Sequence, residues 1–245
     1  METTDPAGVV RHGGSVCVVL DDLFNNDAVA SEAGPRDGNF DCPGTRHGDT
    51  FPWAGMPEGG KPFAPRRPGG VTFAFPRYAD GHMNNVACRG QTVHLEPAAY
   101  RALHVLGASE GGSQESGLTL LVDDGGAREV PFRLTDWCRE PAYGEVPVLR
   151  WGHRINAGGS RDETPCAMFV RTVELPPQVL MRGFRLPRNP RIHVFALTLD
   201  EHPTGPAPAA RPTPGRQGVP VAPGDAGDAG PWLVGETREI TWWAD

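Results

Sequence analysis

The chain has 245 residues and a formal net charge of −7, because 30 Asp and Glu outnumber 23 Lys and Arg. This balance argues against a nucleic-acid partner, since phosphate binding needs a basic face. The hydrophobic content of 38% is enough for one substantial core, and the 32 Gly and 26 Pro predict many turns and long irregular stretches.

Short β-prone segments separated by turn residues recur along the chain, whereas helical periodicity is scarce. The predicted strands cover residues 16–20, 71–75, 92–95, 102–107, 118–122, 129–134, 146–151, 166–175 and 191–199. These segments predict an all-β protein, a two-sheet β-sandwich of the jelly-roll type.

Two local patterns concern turns. Asp124-Gly125 lies between two β-prone runs, and this dipeptide predicts a tight β-hairpin. Pro97-Ala-Ala-Tyr-Arg fits either a single helical turn, with Pro at its first position, or an ordinary loop. The sequence does not decide between these two.

The composition divides the chain into four parts. We predict a flexible N-terminus over 1–14, the sandwich over 15–201, a Pro/Gly/Ala-rich linker over 202–231 and a Trp-rich docking tail over 232–245. Within the sandwich, residues 21–70 have almost no strand pattern. This long loop carries four aromatic anchors, which a disordered linker would lack, so we expect it to fold over the sandwich.

The sequence features that bear on location favour the cytoplasm. No basic segment followed by an apolar one begins the chain, and no apolar run approaches a membrane span. Five cysteines without a Cys-x-x-Cys pair suit a reducing compartment. A secreted protein trimmed of its signal would look the same.

Seven segments, in order along the chain, carry a family resemblance: residues 20–30, 37–41, 70–76, 84–95, 103–108, 132–137 and 192–199. Together they resemble the accessory β-sandwich domain attached to bacterial glycoside hydrolases of the α-fucosidase and related types. The resemblance implies a galactose-binding-like fold and a non-catalytic, carbohydrate-binding role. It also implies that a calcium ion stabilises the domain in some members.

Hard oxygen ligands are concentrated in the early part of the long loop, as a calcium site requires. In galactose-binding-like folds, such a loop and the last strand share the ion. We therefore predict Asn25, Asp27 and Asp200 as ligands, with Asp21 and Asp37 as further candidates. The alternative is that these Asn and Asp residues form turns by bonding to their own backbone.

Sugar binding requires an aromatic face for stacking and planar polar groups for hydroxyls. The side chains of these types are Trp53, Tyr78, His82, Asn84, Asn85, Trp137, Arg150 and Trp151. For Trp137 and Trp151 the alternative is core packing. The pair Asn84-Asn85 also fits a structural role in the turn before the next strand.

Two further functions stay open at this stage. A stand-alone enzyme of the hydrolase or lyase type would act on a glycosylated or hydroxylated metabolite. The sequence contains no nucleophile elbow, P-loop or metal-binding histidine motif. It therefore indicates neither a particular reaction nor an organic cofactor. An interaction protein would instead dock on a partner, or on a second copy of itself, through residues 232–245.

Overall fold

The computed structural model describes residues 8–12, 14–32, 38–41, 48–176 and 179–201. Its strands are β1 (Val9–His12), β2 (Ser15–Val18), β3 (Val29–Ala30), β4 (Phe51–Pro52), β5 (Pro62–Phe63), β6 (Phe73–Ala74), β7 (Val86–Ala87), β8 (Thr92–Ser109), β9 (Gln114–Val122), β10 (Ala127–Leu134), β11 (Val146–Trp151), β12 (Arg154–Ile155), β13 (Arg161–Asp162), β14 (Cys166–Glu174), β15 (Leu180–Arg185) and β16 (Ile192–Glu201). The all-β prediction is confirmed. The linker 202–231 and the tail 232–245 lie outside the described residues.

Helical structure in these ranges is limited to a single 3-10 turn, Asp21–Leu23. No helix among the described residues has the length and apolar character needed to cross a membrane.

Ten of the strands form two antiparallel layers that share β8, and β3-β4, β5-β6 and β12-β13 are separate two-stranded pairs. The first sheet has the order β1-β2-β16-β8-β14-β11, and β7 pairs with the beginning of β16. The second sheet has the order β8-β15-β9-β10. Residues 92–99 of β8 pair with β15, whereas residues 100–109 lie between β14 and β16. One long strand therefore connects the two layers.

Pro97 lies within the continuous strand β8. The segment is neither a helical turn nor a loop, because it continues the strand. Proline lacks the N–H that a strand ladder uses. The pairing of β8 with β15 is irregular between Met181 and Gly183, opposite this part of β8. Pro97 is therefore tolerated where the ladder is already interrupted.

One hydrophobic core lies between the layers. Phe169 and Phe195 from the first sheet and Phe132 and Phe184 from the second belong to the same buried cluster. Along β10, buried Phe132 and Leu134 alternate with exposed positions, whereas β14 and β16 are buried over most of their length. The two sheets therefore form a sandwich around one core.

The described part of the long loop folds onto this sandwich, as the sequence predicts. Phe40 and Phe51 are almost fully buried, and their rings pack 5.0 Å and 4.9 Å from the ring of Trp137. Phe40 also lies 4.4 Å, centroid to centroid, from His193 in β16. Aromatic contacts thus fix the loop against the end of the core.

Two strands differ from the sequence prediction. Val9–His12, expected within a flexible N-terminus, form β1, because His12 pairs with Ser15 across a Gly-Gly dipeptide. Strand β15 was not predicted because Gly183 interrupts its pattern. A Cβ atom at Gly183 would overlap the backbone carbonyl oxygen of Val93, so the close approach of β15 to β8 requires glycine.

Candidate functional site

A partly exposed aromatic pair joins the long loop, just after β4, to the segment that follows β6. The ring of Trp53 packs edge-on against Tyr78, with 5.2 Å between centroids and an interplanar angle of 82°. The backbone N–H of Trp53 donates a hydrogen bond to the carbonyl of Ala30 at 2.9 Å, which fixes the backbone at this position. The indole is nevertheless 38% exposed. We call Trp53 and Tyr78 the aromatic surface.

The phenol of Tyr78 makes this surface rigid. Its hydroxyl donates to the carbonyl of Pro57 at 2.9 Å. Burial raises the pKa of Tyr78, and the charge of Glu58 raises it further, whereas a hydrogen bond with Trp53 lowers it. The phenol therefore stays neutral and keeps its hydrogen at neutral pH. Both rings are held in one arrangement before any ligand arrives.

Three other residues predicted to bind sugar lie in different environments. His82 is exposed, and its carbonyl accepts a hydrogen bond from Asn84. Trp151 is 7% exposed, and its Nε1 donates to the carbonyl of Ala54 at 2.7 Å. Trp151 thus supports the turn next to Trp53 from inside. Arg150 is exposed on β11.

Asn84 and Asn85 are fully buried and use their amides within the protein. The Asn84 Nδ2 donates to Oδ1 of Asp27 at 2.7 Å, and its Oδ1 accepts from the N–H of Ala28 at 3.0 Å. The Asn85 Oδ1 lies 2.8 Å from Nδ1 of His193. These amides join the long loop to the sandwich, and neither presents a polar group to solvent.

The side chains predicted to share a calcium ion are not brought together. Asn25 bonds both backbone groups of Ala87, which pairs with His193 in β16. Asp200 lies seven residues further along β16, roughly 23 Å away at 3.3 Å per residue. There its Oδ2 pairs with Arg101 at 2.6 Å.

The remaining predicted ligands add little to such a site. Asp27 is buried against Asn84, Asp21 lies exposed in the 3-10 turn, and Asp37 falls outside the described residues. In the part of the chain that the structure describes, no three His, Cys, Asp or Glu side chains are grouped to hold a metal ion. Calcium binding stays a prediction.

Trp137 leads to a second site, which the sequence did not predict. The indole is 1% exposed, and its Nε1 donates to Oδ2 of Asp41 at 3.0 Å. Beside it opens a cavity of about 510 Å³, bounded by Asp41, Asp136, Cys138, Arg154 and the Gly111-Gly112 turn. We call this space the carboxyl pocket. Trp137 forms its inner wall, in agreement with the core-packing alternative.

Glu110, which precedes the Gly111-Gly112 turn of the carboxyl pocket, interacts with the pocket's Asp41. Burial, followed by the negative charge of Asp41, raises the pKa of Glu110 to about 7, and a hydrogen bond between the two carboxyls adds to the shift. Arg191 opposes the shift only in part. Near neutral pH, Glu110 therefore keeps its proton in a large fraction of molecules.

The charged side chains that line the pocket beside Asp41 already have hydrogen-bond or ion-pair partners within the protein. Asp136 accepts from the backbone N–H groups of Gly112 at 2.6 Å and Cys138 at 2.9 Å. Arg154 pairs with Asp49 and Asp162, each at 2.9 Å. Burial raises the pKa of the Cys138 thiol to about 12, so the thiol is neutral and is not a nucleophile.

Local sequence gives no signal for the carboxyl pocket. Glu110 follows the end of β8, Asp136 follows β10, and Asp41 lies on the long loop. These segments meet only through long-range pairing, such as the bridge between Ser109 and Asp136. The pair could have been found only from the tertiary fold.

A comparison with protein families places the fold. The family model described as the AziU2-like beta-sandwich domain matches residues 15–203. The chain belongs to this family. The match covers β2 to β16 and therefore includes the residues of both sites.

Membership in the AziU2-like family supports the sandwich prediction and leaves the finer predictions untested. The jelly-roll connectivity is consistent with the AziU2-like match but stays a prediction. The resemblance to glycoside hydrolase accessory domains also stays a prediction. No curated protein matches the chain.

Proposed function

We propose that this AziU2-like domain binds a hydroxylated, sugar-like ligand on its aromatic surface. The observation that supports the proposal is the indole of Trp53, which is exposed yet fixed against Tyr78. A pyranose ring has an apolar face that stacks on such an indole.

The surroundings of Trp53 meet the other requirements of sugar recognition. Glu58, whose charge acts on Tyr78, is exposed, and so is His82, four residues after Tyr78; both side chains can pair with hydroxyl groups. Because the rings are already ordered, binding loses little side-chain entropy. The surface is open, which favours recognition of one sugar face without enclosing the whole ligand.

Substitution of Trp53 tests the proposal directly. The wild-type protein is screened on a glycan array, and hits are titrated by calorimetry. We expect Trp53→Ala to weaken binding of any hit at least tenfold, consistent with roughly 1–3 kcal/mol for a stacked aromatic. The matched control is Leu180→Ala, which removes another exposed apolar side chain on β15.

Two results would count against sugar binding. One is an array without any hit at protein concentrations that detect millimolar affinities. The other is a hit that Trp53→Ala binds as well as the wild type does. Melting temperatures of both variants must stay close to wild type, which the exposure of both side chains leads us to expect.

A second candidate function is catalysis at the carboxyl pocket, favoured by the raised pKa of Glu110 beside the carboxyl of Asp41. Two carboxyls in hydrogen-bond contact are closer than the roughly 5 Å of retaining glycosidases and the longer separation of inverting ones. The geometry therefore suits proton transfer better than glycoside hydrolysis. The ionised member would remove a carbon-bound proton while the protonated member would donate to the leaving oxygen.

Elimination from uronate oligosaccharides tests this second function, because the C=C bond formed next to the carboxylate absorbs in the ultraviolet. If the pocket is catalytic, Glu110→Gln should lower the rate at least a hundredfold and Glu129→Gln, an exposed control on β10, should not. A rate that Glu110→Gln leaves unchanged contradicts the idea, as does the absence of product with the wild type.

A further inference from the structure

A groove at the edge of the first sheet combines two arginines with an apolar floor. Residues 63–67 form one wall, and Pro147 and Val148 of β11 form the other. The groove has a volume of about 460 Å³, within the roughly 300–1,000 Å³ range of small-molecule sites. It contains neither Trp53 nor any residue of the carboxyl pocket. We call it the arginine groove.

The two arginines of the groove have no acidic partner among the described residues. Arg66 and Arg67 are exposed, and neither side chain makes an ion pair or hydrogen bond with another described residue. No Asp or Glu is among the described residues that line the groove. Other arginines, such as Arg101 and Arg154, are paired with carboxylates.

The walls of the groove are fixed by the strands behind them. Phe63 pairs with Phe73 in the β5–β6 ladder, and its ring packs edge-on against buried Phe75 at 5.8 Å. Pro65 is buried, and Pro147 lies at the bulge where β11 pairs with β14. Proline restricts the backbone on both sides, so the walls are ordered before a ligand binds.

We infer that the arginine groove binds a small organic anion, with a carboxylate or phosphate group carried on an apolar or aromatic body. A guanidinium binds either oxyanion through two parallel N–H donors. The apolar body packs between Phe63 and Val148. This site is independent of the proposed sugar binding, because it shares no residue with the aromatic surface.

Calorimetry with phenyl phosphate as the probe tests the inference. We expect saturable binding at one site, weakened at least tenfold in Arg66→Ala/Arg67→Ala. The control Arg89→Ala/Arg128→Ala removes the same charge at two exposed positions elsewhere and should bind like the wild type. Inorganic phosphate should bind at least fivefold more weakly than phenyl phosphate, because it lacks the apolar body.

Each other outcome overturns a stated part of the inference. Equal weakening in the two double variants would show a response to net charge and not to the groove. Equal affinity for inorganic and phenyl phosphate would remove the role of the apolar floor. Absence of saturable binding of millimolar phenyl phosphate by the wild type would remove the site. Melting temperatures check that both double variants are folded.

Discussion

His193 and Asn85 are joined inside the core by a 2.8 Å hydrogen bond between the imidazole Nδ1 and the amide Oδ1. Because an amide oxygen only accepts, Nδ1 carries the hydrogen and Nε2 is the unprotonated nitrogen. Nε2 is buried and has no hydrogen-bond partner among the described residues. A neutral imidazole is therefore enclosed where β16 meets the long loop.

This enclosure predicts a loss of stability in acid. Burial lowers the pKa of His193 to about 3, whereas an unfolded histidine titrates near 6.5. Below about pH 6.5 the unfolded chain gains a proton that the folded chain does not, so stability falls progressively until about pH 3. Between pH 7 and pH 5 the contribution of His193 amounts to roughly 2 kcal/mol.

Urea unfolding of the wild type and His193→Gln at pH 7 and pH 5 measures this contribution. We expect the variant to be less stable at pH 7 but to lose less stability on acidification than the wild type. The exposed His82→Gln serves as the control and should follow the wild type. If His193→Gln and the wild type lose equal stability, the imidazole is not the acid-sensitive group.

The sequence predicted the parts of the fold that depend on neighbouring residues. The β9–β10 hairpin turns at Asp124-Gly125, as predicted, and Gly125 has a φ of 86°. Strand β11 has the predicted bounds, 146–151. In both segments, local turn chemistry and the alternation of side chains agree with the final pairing, so no distant contact was needed to decide them.

The sequence did not predict the features that depend on distant residues. Separate strands were predicted at 92–95 and 102–107, but pairing with β14, β15 and β16 joins them in one strand. At the candidate site, the sequence predicted both members of the aromatic surface, Trp53 and Tyr78, from their residue types. The Asp41–Glu110 pair was missed because the two residues are distant along the chain and meet only through packing of the long loop.

Glu110 predicts a pH response of opposite sign to that of His193. Burial and the charge of Asp41 raise the pKa of Glu110 to about 7, whereas an unfolded glutamate titrates near 4.3. Between these values the folded chain holds a proton that the unfolded chain has lost. The stability contributed by Glu110 is therefore present below about pH 4.3 and is lost as pH rises to about 7.

The variant Glu110→Gln should remove this loss. We expect it to be more stable than the wild type at pH 8 and to differ less at pH 5, as measured by urea unfolding at both pH values. Glu129→Gln, at an exposed position of β10, is the matched control. A wild type and Glu110→Gln with parallel pH profiles would show that Glu110 titrates normally.

Asn84 is predicted to stabilise the loop more than it serves any ligand. Asn84→Ala removes the donor to Asp27 and the acceptor of the Ala28 N–H, both within the core. We expect the free energy of unfolding to fall by roughly 2–4 kcal/mol, because buried polar groups lose their partners. Met83→Ala, at an exposed neighbouring position, should change it by less than about 0.5 kcal/mol. Similar values for the two variants would contradict this role.

Trp137 and Trp151 offer a comparison of charged and neutral acceptors. Each indole Nε1 donates one hydrogen bond, to the carboxylate of Asp41 and to the carbonyl of Ala54 respectively. Replacement by Phe keeps most ring contacts and removes the donor. We expect urea unfolding to show a loss of roughly 1.5–3 kcal/mol for Trp137→Phe and roughly 0.5–1.5 kcal/mol for Trp151→Phe. The reverse order would show that ring packing outweighs the hydrogen bonds.

Gly107 lies where the first sheet tolerates no side chain. It pairs with Phe169 of β14 and Val194 of β16. A Cβ atom there would overlap the carbonyl oxygen of His193 and lie 3.2 Å from Cδ2 of Leu134. Because backbone atoms of a paired strand cannot move aside singly, Gly107→Ala must separate β8 from β16.

We expect Gly107→Ala to lower the free energy of unfolding by roughly 2–3 kcal/mol, the range for overpacking in a core. Gly152→Ala is the matched control, because a Cβ atom at Gly152 has no neighbour within 4 Å among the described residues. Its effect should stay within about 0.5 kcal/mol. Thermal and urea unfolding of both variants check the difference. Equal stability of the two would mean that β8 and β16 are not in the close contact on which the sheet depends.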